Sequence, residues 1–352
     1  MKERSWRFLK RLVEAPSPSG FEQPAQKIIR EEMEAFADEV RTDVHGNVIG
    51  VKNPQGKPRL MLAGHCDEIG LMVKYIDEKG FIFFSSIGGI DAHIIPGQRV
   101  KIHTKKGPVL GVVGKKPIHV MEEEERKKVV KIYEQWIDIG TSTKKEVEKL
   151  VSVGDPITFS AGLERLQGEL AVSRGFDDKM GSFIICEVLR NLADKSFEAG
   201  VFAVSTVQEE IGLRGAKTAA YGINPEVGIA IDVGVATDFP GMDKKREGEI
   251  TVGKGVILYK GANINPHIGE LLIQTAQEEK IPYQLSGESR GTPTDANVIQ
   301  LSRAGVATGL LSVPLRYLHT PVEVLSLEDL ENAIKLLTAF ILRLNNDINL
   351  IP

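Results

Sequence analysis

Apolar residues along this chain follow two different rhythms. Near the start, Trp6, Leu9, Leu12 and Val13 recur at helical spacing, and Pro16 and Pro18 close that helix. Ser19 and Glu22 have the spacing of a capping box, with Pro24 in the first turn of a second helix whose Ile28, Ile29, Met33 and Phe36 form one stripe. Turn signals at His45-Gly-Asn47 and over 53–56 punctuate short strands. Apolar, β-branched runs then appear at 59–63, 201–207, 228–231, 256–259 and 305–313, too short for most helices and suited to buried strands. Helical patterns over 183–192, 267–279 and 330–341 alternate with them, the last opened by a Ser326 cap. An extended edge segment is expected over 281–284. Alternating strands and helices predict an α/β fold with a central sheet flanked by helices.

Between 69 and 163 the rhythm changes. Short apolar stretches are broken by Gly80, Gly88-Gly89, Pro96-Gly97 and Gly107-Pro108, the pattern of a small β-barrel or sandwich. A charge run over 121–128 reads as a solvated face. A strand over 132–139 and a helix over 142–150 are expected next, before the chain returns to β structure after Gly154-Asp-Pro156. The predicted organisation is a discontinuous α/β domain, 1–68 with 164–352, interrupted by an inserted β-rich domain, 69–163.

Composition narrows the function classes. At 352 residues and 42% hydrophobic the chain can bury a large core. A net charge of −4 supplies no basic field for nucleic acid. Cys66 and Cys186 make neither a disulfide framework nor a zinc clip. The N-terminus lacks a signal-peptide core and no apolar run reaches membrane-spanning length, so a cytoplasmic protein without a membrane partner is expected.

Candidate chemistry lies at the ends of the predicted strands, where open α/β sheets bind ligands. The run at 59–63 leads to His65-x-Asp67, and 201–207 to Glu209-Glu210. The run at 228–231 ends in Asp232, and the last strand is followed by His319. Asp177 follows a shorter strand-like run at 169–173. Imidazoles and carboxylates form a mixed nitrogen and oxygen set suited to zinc, cobalt or manganese. They exceed what one tetrahedral ion needs and would serve two metals about 3.5–4 Å apart that share a bridging carboxylate. Competing motifs fail: Gly248-x-x-x-x-Gly253-Lys254-Gly255 lacks the Ser/Thr of a P-loop, and neither His-Glu-x-x-His nor Gly-x-Ser-x-Gly occurs. His93, His103 and His119 have no partner carboxylates at ligand spacing and read as structural. Arg290, Thr292, Thr294 and Asp295 fit two roles equally, contacting substrate or capping the helix that follows.

His65-x-Asp67, Phe176-Asp177-Asp178-Lys179, Glu209-Glu210-Ile-Gly, Ile231-Asp232 and Leu318-His319-Thr-Pro321 stand in the order found in co-catalytic metallo-exopeptidases. With a β-rich insertion directly after His-x-Asp, the chain resembles the TET-type tetrahedral aminopeptidases, a family that includes glutamyl aminopeptidases and proteins called cellulase M. The resemblance implies a zinc-exopeptidase-like mixed sheet with a small barrel or PDZ-like insert. It implies two divalent ions, zinc or cobalt, with Asp177 bridging, His65 and Asp232 completing one site, and Glu210 and His319 the other. It further implies Glu209 as general base, Asp67 as the carboxylate orienting or tuning His65, and an Asp177–Asp178 peptide that is often cis. Short peptides with a free N-terminus would be the substrates, and dimers joined through the insert would assemble into tetrahedral dodecamers. Rival readings are a carboxypeptidase or amide deacylase of the same chemistry, and a glycosidase using Glu209 and Glu210, which leaves the histidines without a role.

Overall fold

Two runs dominated by apolar residues, Arg59–His65 and Gly200–Thr206, pair in parallel at the centre of the computed structural model, which describes residues 1–352. Every residue of Gly200–Thr206 is buried, as is all of Arg59–His65 but the arginine. Val227–Val235 and Ala307–Leu315 extend this parallel core. On one flank Val48–Lys52 and Glu39–Thr42 add antiparallel strands. On the other, Val256–Gly261 runs antiparallel to Ala307–Leu315, and Tyr283–Glu288 pairs with it as the edge strand. The result is one mixed, eight-stranded sheet. Its four central parallel strands end at the same rim, which is what gathers the site.

Alternate residues of the strands face separate cores, the mark of a sheet covered on both faces. Leu60, Leu62, Val201 and Ala203 pack with helices Glu3–Glu14, Gln23–Met33, Phe176–Leu192, Pro266–Glu278 and Leu327–Arg343. Met61, Ala63, Phe202 and Val204 pack against Arg214–Ile223 and Ala296–Ile299. Helix Phe176–Leu192 lies directly on the central strand: a Cβ at Gly64 would sit 2.5 Å from the backbone carbon of Gly181. Its first turn departs from helical geometry at Asp177 (φ −76°, ψ 107°) and Asp178 (φ −121°, ψ 38°), and the peptide joining them is cis. The helix therefore begins earlier than its apolar pattern at 183–192 indicates, because its first turn carries site residues instead of apolar ones.

The insert forms a closed barrel from Gly70–Ile76, Ile82–Ile87, Trp136–Asp138, Gly107–Gly114, Arg99–Thr104 and Pro156–Phe159, with Leu71, Val73, Phe84, Val100, Ile102 and Ile157 inside. Two expectations here need correction. The strand expected over 132–139 is a 3-10 turn, Ile132–Glu134, followed by the three-residue strand Trp136–Asp138. The helix expected over 142–150 is shortened to Lys144–Glu148, opened by a Thr143 and Glu146 capping box. The capping box expected at Ser19 and Glu22 does not form. Helix Gln23–Met33 has no side-chain cap, the Ser19 hydroxyl donates to Asp67 Oδ2 at 2.7 Å, and Glu22 accepts from Gly20 N at 2.7 Å.

One buried carboxylate fastens the start of the chain to the points where the barrel leaves and returns. Glu68 accepts from Lys179 Nζ at 2.8 Å and from Ser17 N at 3.0 Å, and pairs with Arg174 on its other oxygen. The same lysine donates to the carbonyls of Ala15 at 2.7 Å and Val13 at 3.2 Å. Burial opposes ionisation of Glu68, yet the two cations outweigh it and hold the carboxyl down at about 2. Lys179 bears the cost of this crowding, since burial pulls it down to about 8 despite Glu68.

Because the folded-state pKa of Glu68 lies below its ordinary 4.5, the pairing stabilises fully above that pH and is lost as pH falls towards 2. Glu68→Gln, which leaves two buried cations uncompensated, is expected to destabilise by about 3–5 kcal/mol at neutral pH. Denaturant unfolding of both proteins should show the gap closing as the pH is lowered through this window. A gap that stays constant across it would remove the ion pairs as the cause.

Candidate metal centre

His65 ends the central strand and Asp232 lies six residues into the neighbouring one, so both are set by the sheet. Asp177 comes from the irregular first turn of helix Phe176–Leu192. Glu209 and Glu210 follow strand Gly200–Thr206 through Gln208, which takes left-handed backbone (φ 57°). His319, also left-handed (φ 59°), follows Ala307–Leu315.

The two oxygens of Asp177 divide between the two imidazoles: Oδ1 lies 3.1 Å from His65 Nε2 and Oδ2 lies 3.2 Å from His319 Nε2. Glu210 approaches His319 Nε2 at 3.4 Å, and Glu209 lies 3.8 Å from His65 Nε2. Donor atoms of His65, Asp177 and Glu210 fall within 4.8 Å of one another, as do those of His65, Asp178 and Asp232. All five residues expected to hold metal thus converge, and Glu209 joins them.

Other carboxylates hold the backbone beneath this cluster. Asp67 accepts from Glu209 N at 3.0 Å and Glu210 N at 3.2 Å. Asp67 also faces the His65 ring: its carbonyl oxygen lies 3.0 Å from His65 Nδ1 and its carboxylate 3.5 Å from the same nitrogen. Asp178 accepts from His65 N and Gly181 N, both at 3.0 Å. Glu323 accepts from Asp177 N and His319 N, both at 3.2 Å. Asn47, read from sequence as turn punctuation, is buried and accepts from Val207 N at 3.1 Å, steadying the strand exit. Asp178, Glu323, Ser19 and Asn47 have site-building contacts that the sequence analysis does not assign. The one sequence signal for Glu323 is an acid inside the apolar run 322–325.

Electrostatics make the cluster short of positive charge. Burial pushes Glu209 up to about 10 and Asp232 up to about 8, with neighbouring carboxylates adding to both. Burial and then Asp177 raise Glu210 well above the carboxylate range. Burial opposes ionisation of Asp177 too, but His319 and His65 outweigh it and hold the group below its ordinary value. Burial would lower His65, yet Glu209 and Asp177 raise it. Buried like charges persist only with protons or cations to offset them. Glu210 Oε1 is buried without a hydrogen-bond partner. Carboxylate oxygens and imidazole nitrogens, one of them orphaned and all facing a common centre, fit divalent ions such as zinc or cobalt.

The cluster floors a cleft of about 590 Å³ with Val233, Ile250, Ile257, Tyr259 and Leu310 in its walls. Thr292 and Thr294 line it, whereas Arg290 is exposed and lies outside it. Asp295 is buried, provides no side-chain cap to Ala296–Ile299, and accepts from Thr206 Oγ1 at 2.6 Å, so the capping role does not hold. Gly88 and Gly89 bring the barrel to the rim: a Cβ at Gly88 would lie 3.2 Å from Glu210 Oε2, and one at Gly89 3.4 Å from His319 Nδ1.

Comparison with known proteins agrees with this arrangement. The family model for M42 glutamyl aminopeptidases matches residues 46–336. A lysyl aminopeptidase of Pyrococcus furiosus is 37% identical over 96% of this chain and 96% of its own length. A TET aminopeptidase from a marine sediment archaeon of the Thaumarchaeota superposes with a TM-score of 0.93, at 38% identity over 97% of both chains. The TET1 peptidase of Pyrococcus horikoshii, which can assemble into a tetrahedron or a large octahedral shell, superposes with a TM-score of 0.87 at 32% identity, covering 97% of this chain and 100% of that one. A central mixed sheet, a barrel closed within the insert and a family model spanning most of the sequence lead to one assignment: this chain belongs to the M42 glutamyl aminopeptidase family, hydrolases acting on peptide bonds.

Proposed function

We propose that the protein releases the first residue from short unblocked peptides at a centre built for two divalent cations, zinc or cobalt. The observation that carries this reading is the division of Asp177 between His65 and His319, one oxygen to each. Asp177 would bridge the pair, with His65 and Asp232 completing one side and Glu210 and His319 the other. When bound, such a pair polarises the scissile carbonyl and makes water acidic enough to attack near neutral pH. Glu209 stands beside a ligand with its backbone pinned by Asp67, and its carboxylate accepts the attacking water's proton. It then delivers that proton to the amine released as the C–N bond breaks. Excess carboxylate at the rim also favours a substrate's free α-ammonium, which supports action at the N-terminus.

The same reading extends to context. No helix of the chain is long and apolar enough to cross a membrane, and we take the peptides acted on to be cytoplasmic. The barrel exposes Leu110 and Val112, two residues apart on strand Gly107–Gly114, apolar positions that support pairing of subunits through the insert into dimers and then a tetrahedral dodecamer. Sedimentation at the monomer mass would remove that assembly from the proposal. The glycosidase reading has no use for the imidazoles.

Two measurements test the chemistry. Glu209→Gln should keep its metal content and lose about 10²–10⁴-fold in turnover, the usual worth of a positioned base; full activity would end the role given to Glu209. Dialysis against a chelator should abolish release from aminoacyl reporters and lower the melting temperature, and zinc or cobalt should restore both. Activity that persists without metal would sink the two-cation centre.

A further inference from the structure

The family is called glutamyl, and one relative is called lysyl. The cleft decides between these chemistries on its own residues. We infer that this chain selects peptides whose first residue is basic, lysine or arginine, and that Glu288 is the residue that sets this specificity. The inference rests on the aminopeptidase reading and concerns the same cleft.

The cleft runs from the metal cluster down one face of the sheet. In register Asp232 stands beside Ser312, Ser312 beside Ile257, and Tyr259 beside Ser286 on the edge strand. Two residues further along that strand, and therefore on the same face, comes Glu288. Both Ser286 and Glu288 line the cleft, and the Ser286 hydroxyl donates to Glu288 Oε1 at 3.2 Å. Tyr259 lines the same cleft as Asp232 and Glu288; burial raises its hydroxyl, a hydrogen bond to Ser312 opposes this, and the two carboxylates add to the rise.

Three properties of this space point to a long cationic side chain. Its middle is apolar, with Ile250, Ile257, Tyr259 and Leu310 offering the surface on which a lysine or arginine stem packs while its head stays polar. Its far end holds a carboxylate that no lysine, arginine or histidine of this chain pairs; Glu247, the other lining acid outside the metal cluster, faces Arg246 Nε at 3.0 Å. No lysine or arginine lines the cleft anywhere, so an acidic first residue would place a second carboxylate in a site that already lacks positive charge. Remoteness from the cluster also separates the role of Glu288 from that of holding the substrate's α-ammonium, which has to lie near the scissile bond.

The test uses full-length, metal-loaded protein and the p-nitroanilides of lysine, arginine, leucine and glutamate. The expected kcat/KM for lysine and arginine is at least tenfold above leucine, with glutamate lowest. Glu288→Gln should cut the lysine-to-leucine ratio at least tenfold, chiefly through KM, and Glu288→Lys should raise glutamate relative to lysine. Calorimetry gives a second readout that does not depend on turnover: L-lysine should bind the wild type at least tenfold more tightly than L-norleucine, its uncharged analogue, and Glu288→Gln should erase that difference. A wild type that releases leucine or glutamate best, or a Glu288→Gln variant whose lysine and leucine rates fall together, overturns the inference while leaving the aminopeptidase reading intact. Absence of release from all four reporters overturns both.

Discussion

Buried negative charge is the constraint on which this structure turns. Asp177, Glu209, Glu210 and Asp232 share one rim with two imidazoles, and each carboxylate raises the cost of ionising the next. The fold adds further buried acids beneath them. Asp178 holds the backbone N–H of His65, Asp67 that of Glu210, and Glu323 those of both Asp177 and His319. Four of the five residues proposed to hold metal therefore have their main chain fixed by a buried carboxylate. The fifth, Asp232, sits within a strand and is placed by the sheet ladder. Bonds from backbone N–H groups to buried carboxylates are directional, and they suit a site whose ligands come from separate elements. They also deepen the deficit of positive charge at the rim, so the scaffold that gives the centre its geometry increases its need for cations.

Much of this was legible in the sequence, and the reason is physical. Parallel strands covered on both faces must be nearly continuous apolar runs, so Arg59–His65, Gly200–Thr206 and Ala307–Leu315 stood out without any structural guide. Polar residues at the ends of such runs are confined to one rim by topology, which is why His65, Asp177, Glu209, Glu210, Asp232 and His319 could be gathered before their contacts were known. The supporting acids left no comparable trace. Glu323 and Asp178 bond to backbone N–H groups of distant residues, and a main-chain partner has no sequence signature. Ser19 and Glu22 matched a local capping pattern, yet the hydroxyl bonds to Asp67 across the fold, a tertiary partner displacing a local one. In the barrel, strands of three or four residues carry too little periodicity to bound, and so the reading over 132–150 erred.

The barrel's place in the sequence has a mechanical logic. The chain leaves the sheet just after Glu68 and returns through Leu170–Ser173 to Arg174, and those two side chains pair in the core. An insertion whose exit and re-entry are joined by a buried ion pair can vary in its outer parts without moving the strand that carries His65. Independence ends at one point. Gly88 and Gly89, which follow barrel strand Ile82–Ile87, come so close to Glu210 and His319 that no side chain fits easily at Gly88. His319 is raised chiefly by Asp177, against burial, and a bond to the Gly89 backbone adds to that shift. His319 is the only one of the two imidazoles with substantial exposure, its side chain 35% accessible against 2% for His65. The less enclosed ring is thus the one that takes an additional support from the insert. Any movement of the barrel, including movement imposed by subunits packed against its outer face, reaches the centre where Gly88 meets Glu210 and Gly89 meets His319.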